Sequence, residues 1–377
     1  MKNNTVRIFM VLMALLVVTA VPAGARIKLV SLPERGATLI RLDNPQATLV
    51  EEERILTLQK GINRVDFSWK GVSIDADSIR LAMLSHPGQV FLLNVSYPPN
   101  EAALVWEISS EGAWEEKVRV SYLLAGIDRL IAYKAFADKG EHRVLLKSRL
   151  ILRNFSGEDF REAETLLDIG GRFNIGISHE ETKQLRLFEK KDVPLTKVWK
   201  FDAGIQPWDP RKLAQNVGIP VFYRIENNNK NRLGEFSLPQ GKVRVYQEDG
   251  HGGTIFLGED NIEFVPVGEK ADILIGNSRD IVVTQHQMQN KKINVRRNKK
   301  NEVVLHDTDE IIKAEIENFK NQPAVLTLIE HIPGQWEMKK CSTEYTLKDA
   351  FTLVFEIALP PQGKKELSMH YFRRNIR

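Results

Sequence analysis

Alternation with a period of two runs through most of the chain. Val65, Phe67 and Trp69 alternate with polar residues, as do Ile79, Leu81 and Met83, and Val118, Val120, Tyr122 and Leu124. Near the end, Phe351, Leu353, Phe355, Ile357 and Leu359 alternate with Thr352, Val354, Glu356 and Ala358. An extended backbone sends successive side chains to opposite faces, so the pattern predicts half-buried strands. Many runs stop at LQKGIN, HPGQ, ADKGEH, LPQGK or PPQGKK, where glycine supplies turn angles that other residues avoid.

Helical patterning is scarce. In PWDPRKLAQNVG, Asp209 can cap a short helix, Pro210 suits its first position and Gly218 follows its end. DFREAETLLDIGG lies between strand-like runs and reads as a turn followed by a strand. The predicted fold is all-β, with two or three packed antiparallel sandwich units of immunoglobulin-like type spanning 26–113, 114–276 and 277–377. No repeat of fixed period argues for a solenoid or propeller. No linker rich in Pro, Ser or Gly separates the units, which predicts units packed on one another.

The first 25 residues read as a signal peptide. Lys2 and Arg7 precede an apolar run from Ile8 to Val21, and Ala23-Gly24-Ala25 offers a small-x-small cleavage site. The run is shorter than the roughly 20 residues needed to cross a bilayer, and it ends at Pro22 and Gly24. No cysteine follows it to accept a lipoprotein acyl chain, and no later segment is long and apolar enough to span a membrane. The expected product is exported, periplasmic or extracellular, and not an integral membrane protein once cleaved.

Charge and cysteine content narrow the picture further. The 377 residues carry 53 Lys and Arg against 49 Asp and Glu. Removing Lys2 and Arg7 leaves 51 against 49, a net charge of +2. So balanced a chain gives no support for a nucleic-acid partner. Cys341 is the only cysteine, so no intrachain disulfide forms and packed apolar surface must stabilise the fold.

Candidate chemistry is thin. YQEDGHGGTIFLGED, from Tyr246 to Asp260, crowds glycines, acids and a histidine together. Ile255 occupies the third glycine position of a dinucleotide fingerprint, and the alternate positions after Asp249 hold His251 and Gly253 where a calcium loop needs oxygen ligands. No second histidine lies at zinc spacing. The stretch therefore reads as a hairpin, Lys242 to Gln247 and Thr254 to Leu257 joined by a turn. No His-Glu-x-x-His pair, no Gly-x-Ser-x-Gly elbow and no coherent set of catalytic, metal or cofactor residues is present. Ser156 suits a local turn bond, and Cys341 reads as a buried thiol.

Two surface features remain. NKKINVRRNKKNE, from Asn290 to Glu302, gathers Lys291, Lys292, Arg296, Arg297, Lys299 and Lys300 around Ile293 and Val295. Lysine on a strand edge discourages unwanted pairing, and the same charges could hold an anionic envelope polymer or lipid head group. Trp208, between Pro207 and Pro210, could stack on a glycan or anchor a partner protein, or pack under its own loop.

The stretch from Leu238 to Ile281 resembles a family known as domain of unknown function 4139, whose longer members are mucoidy inhibitor A-like proteins. The resemblance is carried by Leu238-Pro239, Gly241, Val243, Val245, Tyr246, Gly258-Glu259, Pro266, Gly268, Gly276 and Asp280. Upstream, Asn154, Ser156, Gly157, Asp159 and Ala163 stand in the family's order, and downstream so do Asn318, Pro323, Pro333 and Trp336. The likeness covers Val118 to the C-terminus, and LQKGINRVDFSWKGVSIDADSIRL is similar to a shortened form of the family's N-terminal partner domain. Longer members carry a coiled coil, and no sustained heptads occur here. The resemblance implies architecture and structural roles for its motif residues; it brings no catalytic residues. The expectation is an exported cell-envelope protein that binds or scaffolds, partnered by an envelope glycan or protein. The alternatives are an envelope hydrolase whose site assembles only on folding, and a structural component of a surface or secretion assembly.

Overall fold

The computed structural model describes residues 30–44, 46–167, 171–212 and 216–377. The expected signal peptide lies outside them. The fold is all-β, with packed sheets and, among the described residues, helix limited to single 3-10 turns. The expected short helix after Trp208 is one such turn, Pro210–Lys212, opened by the Asp209 carboxylate accepting from the Arg211 amide at 3.1 Å. DFREAETLLDIGG contains the expected strand, Phe160–Leu167.

The chain forms two compact units, each from two separated stretches. Of the described residues, one unit uses those up to Asp128 together with those of 153–183; the other uses those of 129–152 and 184–377. Residues on both sides of position 113 share a unit, because Trp114–Leu124 pairs along its length with Ala47–Leu58. Position 276 falls inside a strand, Lys270–Ser278.

In the first unit, a four-stranded sheet orders Val30–Ser31, Gly61–Ser68, Ala103–Ser110 and Val90–Ser96. A six-stranded sheet orders Arg172–Ile177, Phe160–Leu167, Thr38–Asn44, Ala47–Leu58, Trp114–Leu124 and Arg80–Met83. Phe67 stacks on Trp106 at 5.4 Å within the first sheet and meets Tyr122 of the second at 6.0 Å. All three rings are buried, and each contributes roughly 1.5–3 kcal/mol by leaving water.

The second unit has three sheets. The five-stranded sheet orders Thr182–Pro194, Arg143–Asn154, Ile127–Ala137, Gly241–Glu248 and Thr254–Ile262. The six-stranded sheet orders Lys270–Ser278, Ile219–Glu226, Thr196–Asp202, Ala324–His331, Thr352–Leu359 and Thr346–Leu347. The four-stranded sheet orders Ile281–Arg297, Val303–Asn318, Lys364–Ile376 and Gln335–Cys341.

One face of the six-stranded sheet serves two cores. On the strand Ile219–Glu226, Ile219 and Val221 pack with Ile281, Ile312 and Leu367 of the four-stranded sheet. Two residues on, Tyr223 and Ile225 pack with Tyr133, Leu146 and Val243 of the five-stranded sheet. Ile275 touches both clusters. A strand whose alternate residues feed two cores leaves no room for a linker between them.

Parallel pairs join strands far apart in sequence, among them Phe160–Leu167 with Thr38–Asn44 and Thr196–Asp202 with Ala324–His331. Antiparallel pairs make up most of the rest, as the alternating pattern implied.

Candidate functional site

The basic run is half of the hairpin formed by Ile281–Arg297 and Val303–Asn318. Ile281–Arg297 is the edge of its sheet, and from His286 onward its residues lose the burial of the first five. The tip is built by one side chain: Asn298 Oδ1 accepts from the amides of Lys300 at 2.9 Å and Glu302 at 3.0 Å, while Asn301 takes a left-handed conformation at φ 64°. Lys299 and Lys300 are thereby held at the exposed apex.

A bulge sits behind the tip, between the pairs Ile293↔Asp307 and Arg296↔Leu305. Asp307 ties it down. Its carboxylate accepts from Asn294 Nδ2 and from the Asn375 amide, each at 2.9 Å, and lies 3.6 Å from the Arg296 guanidinium. The Asn375 amide and Asn294 side chain hold its pKa below the usual carboxylate range.

The six basic residues thus divide by role. Arg296 bonds Asn375 Oδ1 at 2.8 Å as well as Asp307, and Arg297 bonds the Asn301 carbonyl at 2.8 Å, so both arginines help to build the hairpin. Lys291, Lys292, Lys299 and Lys300 are exposed and make no ion pair among the described residues. Val295, Val303 and Val304 are exposed beside them.

Trp208, read from sequence as a glycan or protein contact, is half-buried and packs against the core between the six- and four-stranded sheets. Its indole N–H donates to Ala203 O at 3.3 Å and its carbonyl accepts from the Gln285 amide at 2.7 Å. Its ring fastens its own loop, the packing reading of the two that the sequence offered.

The glycine-rich stretch is a hairpin of Gly241–Glu248 and Thr254–Ile262. Asp249 closes the turn by accepting from the amides of His251 at 2.7 Å and Gly253 at 3.0 Å. Gly250 and Gly252 have φ of 82° and 88°, the left-handed region that favours glycine. His251 stands exposed at the tip.

Buried acids lie elsewhere: Glu52 and Glu116 in the first unit, where Glu52 pairs with Arg35 and Arg54 and Glu116 lies 2.7 Å from His86 Nδ1, and Glu310 and Glu330 inside the sandwich of the six- and four-stranded sheets. Glu330 is 4% exposed and accepts from Gln285 Nε2 at 2.9 Å; burial pushes its pKa up to about 7. Glu310, also 4% exposed, accepts from Thr308 Oγ1 at 2.5 Å and Tyr371 OH at 3.2 Å and lies 3.5 Å from Arg373. Both are sealed from solvent, so they order the interior and offer no access to a substrate. Burial also raises the Cys341 thiol, away from a nucleophile. Among the described residues no group of three His, Cys, Asp or Glu could hold a metal.

The motif residues of the resemblance occupy backbone constraints. Asn154 donates to the carbonyls of Glu158 and Ile177 and accepts from Ser156 Oγ at 2.7 Å. A Cβ on Gly157, at φ 86°, would stand 1.9 Å from Gly71 O. One on Gly241 would stand 2.4 Å from Ile131 O, where two parallel strands meet. Pro239 O accepts from Tyr133 OH at 2.7 Å, and Pro266 O from Asn227 at 3.3 Å. Gly258 faces the bulge at Val245/Tyr246, Gly276 has φ 140° and Gly268 φ 95°. Glu259 pairs with Lys242 and Arg244; Pro333 O accepts from Arg373 at 3.0 Å and Ala350 O from Trp336 Nε1 at 2.9 Å.

Two surfaces were not singled out from the sequence. Phe136, Tyr246 and Phe256 form a cross-strand row on the five-stranded sheet, with centroids 5.0 and 5.5 Å apart and Phe256 54% exposed. The strand Val90–Ser96 exposes Phe91, Leu92, Leu93 and Val95 at the edge of its sheet. Strand alternation marks such residues, but which strands become neighbours or edges is decided by contacts distant in sequence.

In comparisons with known proteins, no family model and no curated protein matches this chain.

Proposed function

We propose that this is an exported bacterial cell-envelope protein that acts by binding, through its basic hairpin, a partner that presents phosphate or carboxylate groups. One observation carries the reading: four lysines without ion-pair partners stand on a hairpin whose tip and base are fixed by Asn298 and Asp307. Holding like charges together at an exposed apex is electrostatically unfavourable, and an anionic partner relieves it. The lysines at positions 291 and 292 also guard an open strand edge, a role compatible with binding.

Export rests on the leader pattern, with mature protein beginning at Arg26. Kinship with the family of domain of unknown function 4139 rests on the motif order and fits the structural positions of those residues. Among the described residues no helix is long and apolar enough to cross a membrane.

The test compares wild type with a Lys291/Lys292/Lys299/Lys300 charge reversal for binding to anionic vesicles and to a soluble carboxylate polymer. Loss of binding in the reversal supports the reading and identifies the source of the anion. Equal binding with equal salt dependence removes the hairpin from it.

A further inference from the structure

The strand Val90–Ser96 is an edge, hydrogen-bonded on one side to Ala103–Ser110; on the other, Val90 bridges to Pro87 and, among the described residues, no strand pairs with 91–96. Its sequence, VFLLNVS, has no charged residue, and it ends just before Tyr97-Pro98-Pro99. Every other edge strand of four or more described residues carries charge. Thr182–Pro194 has Lys183, Arg186, Glu189, Lys190, Lys191 and Asp192; Gln335–Cys341 has Glu337, Lys339 and Lys340; even the short Arg80–Met83 has Arg80. Charge on an edge blocks the addition of further strands, and this edge alone lacks it.

The core beneath is also unfinished here. Leu92 lies opposite Ile108 and Val95 opposite Trp106, so they share the face of two residues that are 0% and 1% exposed. Yet Leu92 is 38% and Val95 39% exposed, because no strand flanks them. On the opposite face Phe91 is 47% exposed. A strand added at this edge would complete the core only if it is uncharged and apolar on the face it shares with Leu92 and Val95.

We propose that the added strand is the same strand of a second copy of this chain, the two Val90–Ser96 edges pairing antiparallel about a two-fold axis. Self-pairing can set Leu92 of one copy opposite Val95 of the other and brings no charges together. Pairing with any other long free edge of the chain would bury lysine, arginine or carboxylate against Leu92 and Val95, which costs several kcal/mol unless each is paired. A seven-residue strand buries less than the roughly 1,200 Å² typical of a stable complex, so the dimer is reversible.

Sedimentation velocity on the purified protein, from about 1 to 200 μM, tests this directly, since the range starts at and extends beyond the micromolar affinities of weaker interfaces. Expected is a concentration-dependent doubling of mass for wild type, abolished in Leu93→Lys at unchanged melting temperature. Wild type that stays monomeric throughout, or Leu93→Lys that still dimerises, overturns the proposal. Should Leu93→Lys fail to fold, amide exchange in wild type decides: exchange over 90–96 that slows as protein concentration rises supports the interface, and exchange independent of concentration overturns it. A monomer whose outward-facing 90–96 amides, those not bonded to Ala103–Ser110, are already protected at the lowest concentration also overturns it, since the edge is then covered by its own chain.

Discussion

Asn294 and Asp307 meet across the hairpin, the amide nitrogen 2.9 Å from the carboxylate, and this contact fixes the bulge from which the basic tip departs. Asn294 itself is left-handed at φ 51°. Asp307 binds the bulge on one side and the Asn375 amide on the other, so it couples tip and sheet.

Asp307→Ala should loosen the tip without dismantling the sandwich. Amide exchange over 293–307 should speed up while protection of the core strand Ala324–His331 is kept. The pH dependence follows from the lowered pKa: the contact is complete above the unfolded carboxylate value of about 3.9 and is lost as pH falls through the lower folded value. Tip protection in wild type should therefore persist at pH 5 and fail only in stronger acid.

Glu330 works in the opposite direction. Its carboxyl is neutral up to about pH 7 in the fold, whereas in the unfolded chain it ionises near pH 4.3. Its contribution is thus favourable below the unfolded value and is eroded as pH rises to about 7, by roughly 3 kcal/mol in all. Gln285 Oε1 has no hydrogen-bond donor among the described residues, which suits a protonated Glu330 that can donate as well as accept. Glu330→Gln should be more stable than wild type at pH 8 and close to it at pH 4.5, measured by denaturant unfolding. Equal effects at both pH values would show that Glu330 is already ionised in the fold.

Two glycines separate backbone angle from crowding. Gly157 and Gly268 both have positive φ, 86° and 95°. A Cβ on Gly157 would strike Gly71 O at 1.9 Å, whereas one on Gly268 meets nothing within 4 Å. Gly268→Ala should cost about 1–2 kcal/mol, the price of a left-handed alanine, and Gly157→Ala clearly more or fail to fold. Similar losses would refute the close approach of Gly71.

Much of this architecture was legible in the chain. Phe355 and Ile357 are buried as their alternation required, and Asp249 and its glycines form the turn expected of them. Three things were not legible. Contiguous units were expected, but Arg129–Leu152 leaves one unit for the other and returns, a crossing set by parallel pairing such as Val243↔Tyr133. For Trp208 the sequence left a ligand contact and packing under its own loop both open, and only the fold shows that the loop lies over a core. The division of the basic run into two structural arginines and four free lysines depends on Asp307 and Asn375, which the hairpin register and the strand after it bring alongside.

The hairpin apex decides the central claim. Lys299→Glu with Lys300→Glu reverses charge at two exposed side chains that make no ion pair in the fold, so the melting temperature should not change. Binding to anionic vesicles or to a carboxylate polymer should weaken by about tenfold or more at low salt, from the ~1 kcal/mol that each basic residue gains near an anionic surface, and the difference should shrink as salt rises. Affinity equal to wild type at low salt, on both probes, would contradict the account.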